Sequence, residues 1–470
     1  MTAENDNQDV LVIGAGPGGY AAAIRLGQFG FEPLVVEEEN VGGVCLNWGC
    51  IPTKALYSST EPLGRLETWR ERGIVFSGYD LDREKMIENQ SKIVDKLTGG
   101  VEKLIEANGG KVIEGRATLN SRYEVEVKKA NGEEISIEPD NVIIATGSSP
   151  IELPGFPFEN RVVWNSRDAI KIPEIPKKLV ILGAGVIGLE MATIYNRLGT
   201  EVEILEMADS VLPGMNIDRR LSSMLIRELK KSGINLHTET KALELKEDSG
   251  GHVVVGEEDE DLKEFPADRV LSAVGRSPNS PSATSGLELG LDDGGYVEID
   301  ELCTTSEEGI YAIGDVAGPP LLAHKASMQG LIAAADIAGE ETSQYRVVPA
   351  AVFTDPEYAE VGLSREEARK NGYEPVIGKF PFRASGKALA MGAEKGMVHL
   401  VADEGSDKLL GGAILGPHAS DLIAEIALAV EMKLTAKELA ETIHTHPTLS
   451  EAVMEAAENI HGQAIHTGNR

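Results

Sequence analysis

Cysteine is scarce in this chain: Cys45, Cys50 and Cys303 are the only three among 470 residues. Three thiols do not make the disulfide framework of a secreted domain. An unbroken apolar run of about 18 residues, enough to cross a bilayer as a helix, is missing too. No membrane span is therefore expected. Residues 1–8 are polar and acidic and lack the basic-then-apolar pattern of a secretory signal. Basic residues are also in short supply: 44 Lys and Arg stand against 76 Asp and Glu, a formal net charge of -32. That field disfavours nucleic acid and anionic lipid surfaces as partners. The expected location is cytoplasmic, where a close cysteine pair points to redox or metal chemistry rather than to a structural bridge.

The acid is spread along the chain, as in residues 37–39 and 257–261, and does not form a detachable tail. An excess this large suggests a halophilic protein whose self-repulsion is screened by concentrated salt. The plainer alternative is an acidic protein of ordinary surroundings. Hydrophobic content of 42% is usual for a soluble globular chain, and the length suggests about three domains. The 51 glycines form no low-complexity tract, so they point to tight turns.

The clearest organisation is a repeat. Residues 9–37, DVLVIGAGPGGYAAAIRLGQFGFEPLVVE, match residues 178–206, KLVILGAGVIGLEMATIYNRLGTEVEILE. Each reads as a β-branched strand, a glycine turn, a helix with apolar spacing, and a second strand ending in glutamate. Gly14, Gly16, Gly19 and Glu37 correspond to Gly183, Gly185, Gly188 and Glu206. A lone GxGxxG is weak, but a preceding strand, a following helix and the distal acid make it credible. The first glycine makes the turn, the second lets backbone N–H groups approach a pyrophosphate, and the third lets the helix pack on the strand. The helix N-terminus offers partial positive charge to the diphosphate, and the glutamate accepts from ribose hydroxyls. Two such turns imply two dinucleotides. A carboxylate at Glu206 would repel a 2′-phosphate, which favours NAD over NADP in the second site. The plain alternative for either turn is a tight strand–helix corner.

Between the repeats, residues 82–107 read as an amphipathic helix and 111–138 as short alternating strands. Residues 154–156 and 173–178 look like boundary loops. A helix is expected at 217–232 and a buried strand at 310–315. From about residue 348 the chain reads as strands followed by helices near 419–432 and 448–458, a separate C-terminal domain.

Residues 42–54, GGVCLNWGCIPTK, hold Cys45 and Cys50 with four residues between them. A distorted helical turn could bring the two sulfurs together. Zinc is disfavoured because no second Cys/His pair with ligand spacing follows. A buried inert pair is the remaining alternative to redox exchange.

This segment resembles the active-site segment of the flavoprotein disulfide reductases. The resemblance continues through the first glycine turn, ATG at 145–147, the second turn, VGRSPN at 274–279, AIGDV at 312–316 and HTHPTLSE at 444–451, and so covers essentially the whole chain. It implies an α/β fold with two Rossmann-like dinucleotide-binding domains, for FAD and NAD, plus an α+β C-terminal dimerisation domain. The implied boundaries are 1–150 for the FAD-binding domain, 151–276 for the NAD-binding domain, 277–347 for a central domain completing the FAD site, and 348–470 for dimerisation.

The resemblance also implies roles. Cys45 would be the interchange thiol and Cys50 the flavin-side thiol. Lys54 would lie near the flavin and pair with Glu190; taken alone it would be a solvated helix lysine. FAD would lie on Gly14, Gly16 and Gly19 with Glu37 on its ribose, and Gly115, Thr146, Gly147, Asp315 and Ala323 would be further flavin contacts. Gly183, Gly185, Gly188, Glu206 and Gly275 would hold NAD. His446, oriented by Glu451, would deprotonate the substrate thiol. Pro447 suits the first position of a helix presenting Glu451. His444 reads as structural, and so does Cys303. The His–Glu pair would come from the partner subunit, which implies a homodimer. Val44 stands where threonine is usual, and Trp48 lies between the cysteines where smaller or aliphatic residues are also common.

Within that family, Glu206 disfavours the glutathione branch, and the lack of a C-terminal cysteine pair disfavours the mercuric one. The implied substrate is dihydrolipoamide, carried on lipoyl domains of 2-oxoacid dehydrogenase or glycine cleavage proteins. Reduction of another low-molecular-weight disulfide is the first alternative, and a non-catalytic flavin-binding subunit the second.

Overall fold

The computed structural model describes residues 7–121, 124–248, 251–281, 289–342, 344, 345 and 347–469. The chain divides into two compact units, one of residues 1–56, 82–151 and 275–344, the other of residues 57–81, 152–274 and 345–470.

The first unit is organised on strand β1 (Asn7–Ile13). Val10, Leu11, Val12 and Ile13 are all buried, as expected for a strand covered on both faces. β1 pairs in parallel with β2 (Leu34–Glu37) and with β5 (Glu134–Ile144). β2 pairs in parallel with β3 (Lys111–Ser121), and β5 with the strand Ile310–Ala312. The parallel order is thus β3, β2, β1, β5 and the late strand. β3 and β5 outrun this sheet, and their free halves pair antiparallel with β4 (Glu124–Lys129). Along β4, Val125 and Val127 are buried while Glu124, Glu126 and Lys128 are exposed, the alternation of a one-sided strand. The expected strand over 310–315 is shorter than the sequence suggests. It ends at Ala312, and Gly314–Ala317 forms a 3₁₀ turn that carries Asp315 off the sheet.

Helix α1 (Pro17–Gln28) crosses the helix Ala323–Ala338 at two glycines. A Cβ on Gly330 would stand 2.4 Å from the Gly18 carbonyl oxygen. The obstacle is backbone and cannot swing aside. Gly330→Ala gains up to about 1 kcal/mol of helix propensity, but overpacking costs about 1–3 kcal/mol. A net loss of about 1–2 kcal/mol is expected, read as a lower thermal midpoint. An unchanged midpoint would show that the crossing tolerates a methyl group.

The second unit contains a parallel five-stranded sheet in the order Ile234–His237, Glu201–Leu205, Lys178–Leu182, Arg269–Ser272, Val163–Trp164. An antiparallel sheet of Thr240–Asp248, Gly251–Glu258 and Asp261–Ala267 follows in the chain. The C-terminal part is a five-stranded antiparallel sheet ordered Ala350–Val352, Glu357–Gly362, Leu409–Gly416, Met397–Asp403, Pro375–Pro381. Helices Ala419–Glu431 and Glu451–Ile460 pack on it. Ile423, Ile426, Val453 and Ala456 meet Val398, Leu400 and Ile414 in one buried cluster.

The fold is therefore α/β, with two Rossmann-like domains and an α+β C-terminal domain. The helices expected at 82–107 and 217–232 are Arg83–Ala107 and Arg219–Lys231, capped by the Asp82 and Asp218 side chains. Pro447 is a correction. The last helix opens at Glu451, and Pro447 lies in the turn before it. There the Thr448 hydroxyl donates to the Thr445 carbonyl at 2.7 Å, holding that turn outside the helix. Among the described residues, no helix is long and apolar enough to cross a membrane.

Candidate active site

The two glycine turns are alike down to single atoms. In the first, Gly14 N–H donates to the Val36 carbonyl at 2.8 Å, and a Cβ on Gly19 would stand 1.9 Å from the Gly14 carbonyl oxygen. In the second, Gly183 N–H donates to the Leu205 carbonyl at 2.8 Å, and a Cβ on Gly188 would stand 2.0 Å from the Gly183 oxygen. Both third glycines thus let a helix sit directly on its turn. Gly16 and Gly185 cap those helices and have open space on the side where a Cβ would point. Glu37 accepts from Ala15 N–H at 2.7 Å and from Glu39 N–H at 2.9 Å. Glu206 accepts from Ala184 N–H at 2.7 Å and from Ala208 N–H at 2.8 Å. Each carboxylate is held by two backbone donors and still has lone pairs for hydroxyl groups. An open glycine face, a helix N-terminus and a fixed carboxylate fit a dinucleotide at each turn.

The cysteines lie across a break between two helices. Helix α2 (Gly43–Trp48) carries Cys45, and α3 (Cys50–Gly64) begins at Cys50. The break falls at Gly49, whose Cβ would stand 2.8 Å from the Val44 carbonyl oxygen. The Thr53 hydroxyl donates to the Gly49 carbonyl at 2.6 Å. Cys50 therefore stands at the positive end of a 15-residue helix, which favours its thiolate. The hydrogen bond with Cys50 pushes the Cys45 thiol far above its ordinary range. Burial and the charge of Cys50 push the same way, and Lys54 opposes them.

This segment is seated on the first turn. Gly42 N–H donates to the Ala15 carbonyl at 2.8 Å. Gly43 has φ +55°, and a Cβ there would come within 2.7 Å of the Gly16 Cα. Val44 and Trp48, the two departures from the usual pattern, are both partly buried. Tyr20 of α1 was not expected at the site. Burial raises its phenol, and the charges of Cys45 and Cys50 add to the rise. Its position next to Gly19 is the only signal the sequence offers.

The other first-unit residues gather near the strand ends. The Thr146 hydroxyl donates to the Asn279 carbonyl at 2.7 Å, and Asn279 N–H donates to the Gly147 carbonyl at 2.9 Å. The Ser148 hydroxyl donates to Asp315 Oδ2 at 2.5 Å and accepts from Arg276 Nε at 2.7 Å. Ser148 and Arg276 were missed by sequence reasoning, because their partners lie far away in the chain. Burial lowers the basicity of Arg276, while Asp315 and Cys50 counter it. Ala323 is the first residue of its helix. Gly115 follows Glu114, the residue paired with Glu37 across β2 and β3. The Gly275 carbonyl accepts from Ile151 N–H at 3.1 Å. Cys303 is buried, and burial raises its thiol to about 12, in keeping with a structural role.

In the second unit, Glu190 is buried on the helix Val186–Arg197 and accepts from Phe353 N–H at 3.1 Å. His446 Nδ1 and Glu451 Oε1 are 2.8 Å apart, and Glu451 Oε2 accepts from Thr448 N–H at 2.8 Å. Burial alone would raise the Glu451 carboxyl. The Thr448 N–H and His446 outweigh it and hold the carboxyl below its ordinary range. The His446 ring is 81% exposed, so a carboxylate-oriented imidazole is presented at the surface.

Comparison with known proteins agrees with this chemistry. Residues 8–330 match the pyridine nucleotide-disulphide oxidoreductase family, and residues 348–457 match the dimerisation domain of that family. The chain is 45% identical over 467 residues to a dihydrolipoyl dehydrogenase of Halobacterium salinarum, covering 98% of each chain. It is 46% identical to the enzyme of that name from Thermus scotoductus, over 98% of this chain and 99% of the relative. A crystal structure of LpdA from Mycobacterium tuberculosis superposes with a TM-score of 0.88 at 27% identity, over 96% of this chain and 99% of that one. The chain belongs to the pyridine nucleotide-disulphide oxidoreductase family and is an oxidoreductase using FAD and NAD.

Proposed function

We propose that this protein oxidises dihydrolipoamide to lipoamide and reduces NAD, as a homodimer serving lipoyl domains of 2-oxoacid dehydrogenase or glycine cleavage proteins in the cytoplasm. The observation that carries this reading is the Cys45–Cys50 pair, split across a helix break and seated by Gly43 on the first glycine turn. The proposed division is residues 1–150 and 277–347 for FAD, 151–276 for NAD and 348–470 for dimerisation.

His446 of the partner subunit takes a proton from one thiol of the substrate. The resulting thiolate attacks Cys45 in the Cys45–Cys50 disulfide. The S–S bond breaks, and Cys50 leaves as a thiolate favoured by the N-terminus of α3. The second substrate thiol then displaces Cys45, closing the lipoamide ring and leaving both cysteines reduced. FAD, when bound, supplies two-electron transfer between the thiols and NAD. Gly14, Gly16, Gly19 and Glu37 would hold it, with Gly115, Thr146, Gly147, Asp315 and Ala323, and Lys54 paired with Glu190 beside it. Gly183, Gly185, Gly188, Glu206 and Gly275 would hold NAD.

The test is NAD reduction by free dihydrolipoamide with the purified protein, in molar KCl and in dilute buffer. Fast turnover that is best in salt supports both the substrate and the salt-adapted acidic surface. Fast turnover in dilute buffer alone keeps the enzyme and removes the salt reading. No turnover, with flavin still reduced by NADH, moves the substrate to another low-molecular-weight disulfide. Glu206→Ala removes a charged acceptor worth about 1.5–3 kcal/mol. The KM for NAD should rise roughly 10-fold or more while the flavin content stays intact. An unchanged KM would remove Glu206 from the nucleotide site.

A further inference from the structure

His444 and His446 are near neighbours in the chain, and each meets a carboxylate, yet their hydrogen bonds differ in kind. His446 bonds Glu451 through Nδ1 and is largely exposed. The His444 side chain is only 5% exposed and is bonded at both ring nitrogens. Nδ1 lies 2.7 Å from the Thr442 carbonyl oxygen, and Nε2 lies 2.6 Å from Glu425 Oε1. Both partners only accept. A neutral imidazole has one N–H, so it could satisfy one of them and would set a lone pair against the other. With Glu425 ionised, the geometry selects the doubly protonated ring.

The surroundings agree. The Glu425 hydrogen bond raises the basicity of His444, burial opposes it, and the Thr442 carbonyl and the charges of Glu425 and Glu451 add to the rise. Glu425 lies on the helix Ala419–Glu431 and Glu451 on the helix Glu451–Ile460. His444 in turn acts on Glu451: its charge, with that of His446, helps to lower the Glu451 carboxyl. His466 is a further ionisable neighbour of Glu451, itself bonded to Glu455 and under the charge of Glu458.

We propose that His444 is a permanent imidazolium that serves as a positioning residue for the His446–Glu451 pair. Clamped between Glu425 and the Thr442 carbonyl, it anchors the loop that carries His446. Its fixed positive charge helps to hold Glu451 ionised, the form that orients the His446 ring. The role of His446 as base rests on the function proposed above. The sign follows from the charges. A cation at residue 444 favours the charged form of Glu451. Removing the cation lets Glu451 take up a proton at higher pH, where it no longer orients the His446 ring.

Two measurements test this on the holoenzyme. The first is the pH profile of kcat/KM for dihydrolipoamide in His444→Gln and in Glu425→Gln. The acid limb should move upward by roughly half a unit to one unit in both. An equal loss of rate at every pH, with the limb unmoved, would mean that His444 only holds the loop and would overturn the proposal. The second measurement needs no turnover, so it separates this proposal from the substrate assignment. Nitrogen NMR of the histidine-labelled protein should show the His444 ring doubly protonated from pH 6 to pH 9. Titration of His444 near its ordinary midpoint would also overturn it.

Discussion

Cys50→Ser is expected to cut dihydrolipoamide oxidation by roughly 10⁴-fold or more. The substitution removes the atom that must leave when the Cys45–Cys50 bond is broken. No other residue of this chain can replace it, because Cys303 is buried. The loss is chemical rather than structural. Serine is close in size to cysteine and can occupy the first position of α3 without a clash. Stability should change by no more than about 1 kcal/mol. Flavin content and flavin reduction by NADH should persist, since neither uses a sulfur. A thermal melt, a flavin spectrum and the two rates together check this result. Unchanged disulfide turnover would remove the cysteine pair from the reaction and favour a non-catalytic flavin subunit.

His446→Gln should lower dihydrolipoamide oxidation by about 10²–10⁴-fold, the usual contribution of a general base. Glutamine can still meet Glu451 but cannot take the thiol proton. The loss should shrink as the pH rises towards the range where the substrate thiol ionises unaided. A loss that stays constant with pH would point to positioning and not to proton transfer. Mixed dimers then test where the pair acts. Unfolding and refolding Cys50→Ser and His446→Gln chains together should produce hybrids in which one chain has the cysteines and the other the histidine. If each site is built from two chains, about a quarter of wild-type activity should return with random pairing. If the His–Glu pair serves its own chain, the mixture stays inactive.

Much of the candidate site is legible along the chain because its determinants are local. A glycine that must let a helix rest on a carbonyl, as Gly19 and Gly188 do, is required by backbone a few residues away. The two cysteines share one short segment, and His446 and Glu451 share another. Local spacing also locates the helices Arg83–Ala107, Arg219–Lys231 and Ala419–Glu431 to within a few residues. Pro447 shows the limit of such reasoning. Its residue type suits a helix start, yet the Thr448 hydroxyl and the Glu451 carboxylate build a turn there and delay the helix.

Sequence alone was enough to settle the repeat, the two glycine turns, the alternation of β4 and the class of chemistry, since each depends on residues close in the chain or on a recurring pattern. Tertiary structure decided what distant residues do to one another. It made Ser148 the link between Arg276 and Asp315, and it put Tyr20 under the charges of Cys45 and Cys50. It showed that His444, which reads as merely structural, is held between two acceptors, Glu425 and the Thr442 carbonyl. The reason is physical. A side chain's protonation depends on the donors, acceptors and charges within a few ångströms, and folding brings those from positions that no local pattern connects.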